Sequence, residues 1–108
     1  MCCWLADDAV FRINTLPSAT RLRAMIVVPD LPVLRHSRRT LGVIIDGKPV
    51  ANFSLRFGTS TLTVPLHPGN RKSTTVEFKP GFSFVPKDEH INGDTRKLSI
   101  ILKSLRAE

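Results

Sequence analysis

The sequence predicts an all-β domain, an antiparallel, jelly-roll-like β-sandwich of seven or eight short strands. Three observations carry that expectation. Apolar residues alternate with polar ones over short runs; turn residues separate the runs; and no segment keeps the 3.6-residue period of a helix. A length of 108 residues with 42% apolar content fits one domain over residues 1–108. A chain of that size hides roughly two thirds of its unfolded surface and needs no covalent staple.

In chain order, residues 10–15 form the first alternating run, with Phe11 and Ile13 on one face and Arg12 and Asn14 on the other. Turn chemistry follows at residues 16–20. Residues 21–28 alternate again, with Leu22, Ala24, Ile26 and Val28 inward, until Pro29, Asp30 and Pro32 stop the strand. Residues 32–39, PVLRHSRR, read as a basic connection. Residues 40–45 and 48–55 flank Asp46-Gly47, a two-residue link that favours positive φ at both positions and is a strong hairpin signal.

Beyond it, Gly58-Thr59-Ser60 reads as a turn, and Leu62, Val64 and Leu66 line the next strand, with Pro65 pointing to an edge or strand end. A polar turn, HPGNRKS, spans residues 67–73. Val76 and Phe78 face inward from a strand over residues 74–79, which Pro80-Gly81 ends. Residues 82–85 read as a short strand. Residues 97–105 close the chain with Leu98, Ile100 and Leu102 on one face. If all these strands run antiparallel in turn, the connections at 46–48, 67–73 and 86–97 share one end of the sandwich. Those at 31–39, 56–60 and 80–81 then share the other. The grouping depends on residues 82–85 being a separate strand.

The charge is lopsided, with 16 Lys and Arg against 9 Asp and Glu, a net +7, which favours anionic partners. Specific nucleic-acid binding is disfavoured all the same. Arg35, Arg38 and Arg39 fall at one end and Arg71 and Lys72 at the other, the Phe residues mostly point inward, and no Tyr is present to stack on bases. Cys2 and Cys3, the only cysteines, are adjacent and make neither a disulfide framework nor a zinc site. Free thiols without an apolar leader or a membrane-length run point to a soluble, cytoplasmic protein with no membrane partner.

The connection at residues 86–97 holds the densest set of polar groups: Lys87, Asp88, Glu89, His90, Asn92, Asp94 and Arg96. Loops of this length in compact domains are usually functional or poorly ordered. Asp94 and Arg96 suit either an ion pair that closes the loop or a grip on a ligand hydroxyl. The spacing of Asp88, Glu89, Asn92 and Asp94 does not follow a calcium loop, so no metal is expected. His36, His67 and His90 have no nucleophile at motif spacing, and no paired catalytic carboxylates occur, so neither an enzyme nor a cofactor is expected. Trp4 is either a cap on the core beside Phe11 or an exposed platform for a sugar ring.

The tail carries a resemblance. Phe84-Val85-Pro86, a polar loop, then Asn92-Gly93-Asp94-Thr95-Arg96-Lys97-Leu98-Ser99 and Leu105-x-x-Glu108 resemble small, carbohydrate-binding-module-like β-sandwich domains attached to bacterial glycosyltransferases. Trp4, the Phe11-Arg12-Ile13 strand and the hairpin between Val43 and Phe53 extend the likeness. The chain departs from the pattern in having Cys2-Cys3 where Asp-Gly is expected before the Trp, and His90 where a glycine is usual.

The resemblance implies a non-catalytic accessory module for glycan or nucleotide-sugar work. The expected ligand-binding residues are Trp4, Lys48, Arg71, His90, Asn92, Asp94 and Arg96. A structural domain that docks onto a glycosyltransferase, or onto its own copy through a strand edge, is the alternative. A non-specific nucleic-acid-binding basic domain comes third.

Overall fold

The computed structural model describes residues 3–5, 8–15, 18–66, 73–85, 88, 93 and 98–108. Eight strands occur there: β1 (Cys3–Trp4), β2 (Ala9–Asn14), β3 (Arg21–Val28), β4 (Thr40–Ile45), β5 (Lys48–Ser54), β6 (Gly58–Pro65), β7 (Ser73–Pro80) and β8 (Ile101–Ala107). One four-stranded sheet has the order β1-β8-β3-β6 and the other β2-β7-β4-β5, all neighbours antiparallel. The first strand thus pairs with the eighth, the second with the seventh, the third with the sixth and the fourth with the fifth. A long hairpin rolled on itself pairs this way, and the result is an eight-stranded jelly roll.

The core follows from period-two burial. On β3, Leu22, Ala24, Ile26 and Val28 are buried while their neighbours face outward, and β7 does the same with Val76 and Phe78. Leu41 and Val43 from β4 and Ile100 and Leu102 from the last segment join them in one continuous cluster. Burying each large side chain contributes about 1.5–3 kcal/mol, so the alternation decides which face each strand turns inward. Phe11 from β2 meets Phe78 edge to face, with ring centres 6.1 Å apart.

Asp46 (φ 49°) and Gly47 (φ 81°) both take left-handed conformations, as the two-residue link requires. Two bulges interrupt the ladders. One leaves Val50 unopposed on β5, next to Pro49, and the other leaves Lys103 unopposed on β8.

Three expectations need correction. Residues 82–85 are not a strand; Phe82 and Phe84 are buried, but among the described residues the segment makes one isolated bridge, Phe84 to Leu98. The basic connection holds a single 3-10 turn, Pro32–Leu34, whose Leu34 is completely buried. Gly58-Thr59-Ser60 opens β6 rather than preceding it.

Candidate functional site

The four-residue step from Ser54 to Gly58 brings one end of β5 and β4 beside one end of β6 and β3. This end also receives Gly81, whose N–H donates to the Thr40 carbonyl at 2.9 Å, and the Phe84–Leu98 bridge. A Cβ at Gly81 would collide with Thr40 Oγ1 unless that side chain turned away, so glycine lets the chain leave β7 close against Thr40. Leu98–Ile100 lie beyond the start of β8, which faces Val27, and they pair with Leu5 through Leu5 N–H to Ile100 O and Ser99 N–H to Leu5 O, both 2.8 Å. The Ser99 hydroxyl, fully buried, also donates to the Leu5 carbonyl at 2.9 Å. Both roots of the 86–97 connection therefore stand at this end.

Trp4 stands here too. It opposes Ile101 across the ladder, touches the Phe84 ring edge to face at 5.6 Å between centres, and keeps 40% of its surface exposed. Its ring partner is the core residue Phe84 and not Phe11, which meets Phe78 instead. Part of the indole stays open beside the loop root.

Arg39 ties the same end together. Its guanidinium lies 4.1 Å above the centre of the Phe57 ring. It donates to the carbonyls of Leu55 (3.2 Å), Leu34 (3.0 Å) and Ser37 (3.4 Å). Arg35 is held by Asp30 at 3.2 Å in an exposed ion pair. Of the densest basic cluster in the sequence, Arg39 is thus a brace and Arg35 sits in an exposed ion pair.

The opposite end is closed by charge. The Asp46 carboxylate accepts from the buried Thr74 hydroxyl at 2.8 Å and from the Thr75 N–H at 3.0 Å, strapping the hairpin turn to the start of β7. Glu108 meets Arg23 at 2.8 Å, Arg21 at 3.5 Å and Arg106 at 3.6 Å. The Arg23 Nε and Glu108 Oε1 atoms are shut off from solvent but not aligned for a hydrogen bond, so the contact is an ion pair alone. Neither Asp46 nor Glu108 stood out as more than a turn residue and a tail residue in the sequence.

Lys48, exposed at the first position of β5, belongs to this second end. The structure therefore separates Lys48 from Trp4 and from the roots of the 86–97 connection. With residues 82–85 failing to form a returning strand, the expected grouping of that connection with the 46–48 turn fails. Arg71, His90, Asn92, Asp94 and Arg96 lie outside the described residues. Among the described residues, no three His, Cys, Asp or Glu side chains converge as metal ligands would, and no helix is long and apolar enough to cross a membrane. No protein-family model matches the chain, and no curated protein does.

Proposed function

We propose that the chain is a non-catalytic module that binds a pyranose ring, in a glycan or a nucleotide-sugar, and accompanies a glycosyltransferase. The observation that supports this reading is Trp4, a half-open indole braced by Phe84 beside the roots of a polar connection. Sugar rings present C–H faces that stack on an aromatic plane and equatorial hydroxyls that need hydrogen-bonding side chains at the rim. His90, Asn92, Asp94 and Arg96 supply such groups within twelve residues of chain, 86–97. The glycosyltransferase association rests on the resemblance of the tail.

The test is calorimetric titration with a panel of glycans and nucleotide-sugars, backed by the fluorescence of the single Trp. A ligand that binds, alters the Trp4 emission and loses about tenfold in affinity (1.4 kcal/mol) on Trp4→Ala supports the reading. A panel in which nothing binds, or binding that Trp4→Ala leaves unchanged, contradicts it.

A further inference from the structure

Among the described residues the two sheets have four edge strands, β1, β6, β2 and β5, and they are not alike. An edge strand carries unpaired N–H and C=O groups, and proteins blunt such edges with charge, proline, bulges or brevity. β1 is two residues long. β2 carries Arg12 at its middle. β5 opens with Lys48-Pro49 and bulges at Val50. β6 has none of these devices: eight residues, GTSTLTVP, without a charge, with proline only at the last position and an unbroken register against β3 from Gly58 to Pro65. Its outward side chains, Thr59, Thr61 and Thr63, are all exposed.

We propose that β6 pairs antiparallel with β6 of a second copy of this chain, across a two-fold axis at Thr61. The order of its side chains favours this occupant over another. Thr59, Thr61 and Thr63 are symmetric about Thr61, so the two-fold register sets every outward threonine against a threonine, a favourable cross-strand pair. A strand capped by charge would meet its own charge under the same operation; β6 does not. The nearest basic side chains on the same sheet, Arg21 and Arg23, sit one strand inward on β3. Across the interface the two β3 strands stand about 14 Å apart, from the spacing of neighbouring strands. That exceeds a Debye length of about 8 Å at physiological salt, so these arginines oppose pairing only weakly. The pairing joins two four-stranded sheets into one continuous sheet and is independent of any ligand at Trp4.

Sedimentation velocity from micromolar to millimolar protein tests this. The weight-average mass rises from 12.0 kDa towards twice that value. The association tightens with added salt, because screening relieves the repulsion between two chains of net charge +7. Thr61→Lys puts two ammonium groups on the axis and abolishes association, with the circular dichroism of the fold retained. Cysteine variants in a Cys2→Ser/Cys3→Ser background fix the register even if the lysine variant misfolds. Thr61→Cys faces itself and closes a covalent dimer under mild oxidation. Thr59→Cys faces Thr63 of the second copy, about 13 Å from its own counterpart, and does not. A parent that stays monomeric at millimolar concentration, a folded Thr61→Lys variant that associates like the parent, or a Thr59→Cys variant that cross-links as readily as Thr61→Cys overturns the proposal.

Discussion

The two ends of the sandwich are held by different chemistry. At the Asp46 end, carboxylates do the closing: Asp46 onto Thr74 and Thr75, and Glu108 among Arg21, Arg23 and Arg106. At the Trp4 end, rings and carbonyls do it: Arg39 over Phe57 and onto three carbonyl oxygens, and Trp4 against Phe84. A carboxylate saturated by donors has little left for a ligand. An indole met edge to face and 40% exposed keeps part of its surface open. The difference teaches where to look for binding and where to look for stability.

Mutations sharpen that contrast. Arg39→Ala has the largest expected effect, a loss of about 2–4 kcal/mol. It takes a donor from the part-buried Leu55 and Leu34 carbonyls, of which Leu34 keeps the Ser37 N–H, at about 1–3 kcal/mol, and removes the ring contact, worth about 0.5–1 kcal/mol. Urea unfolding measures it. A loss under 1 kcal/mol would mean that water replaces the guanidinium freely.

Asp46→Ala follows, at about 2–3 kcal/mol. The buried Thr74 hydroxyl loses its acceptor, and alanine is strained at a positive φ. Asp46→Asn keeps the turn and one acceptor oxygen and is expected to cost less than half as much in the same assay. Equal losses would show that the charge, not the geometry, holds the strap.

Glu108→Gln is expected to cost about 1 kcal/mol: solvent screens the exposed Arg21 and Arg106 pairs, while the contact with Arg23, whose facing atoms are shut off from solvent, carries most of the loss. The cost should shrink in 1 M salt, where the Debye length is about 3 Å. A loss that does not respond to salt points to the backbone pairing of Glu108 with Arg21 instead. Lys48→Ala, on an exposed turn, is expected within about 0.5 kcal/mol of the parent and without effect on a ligand at the Trp4 end.

How much of this was legible in the sequence varied with the length of each repeat. β3 was readable residue by residue, because eight alternating positions leave one inward face, whereas the β4–β5 hairpin was readable at its Asp-Gly link but not at the bulge beside Pro49. β1 was not, since two residues carry no period. Leu34 is buried by a single 3-10 turn inside a basic stretch, so alternation could not mark it. Phe82 and Phe84 alternate as strand residues do, yet Gly81 sends the segment across the end of the sandwich, where Leu98 alone pairs with it. That one misreading moved a whole loop, in expectation, to the wrong end. Arg39 read as surface charge because a cation over a ring has no sequence spacing of its own. The partial exposure of Trp4 was legible only as one of two possibilities, and Phe84, which packs against it, is eighty residues away.

The most direct test of the difference between the ends is a two-dimensional amide and indole NMR map, recorded with and without the best-binding glycan or nucleotide-sugar. Shifts are expected at the Trp4 indole, Phe84, Leu98 and the 86–97 connection, and none at Asp46, Lys48 or Thr75. Shifts confined to the Asp46 end, or no shift anywhere with saturating ligand, would contradict that expectation.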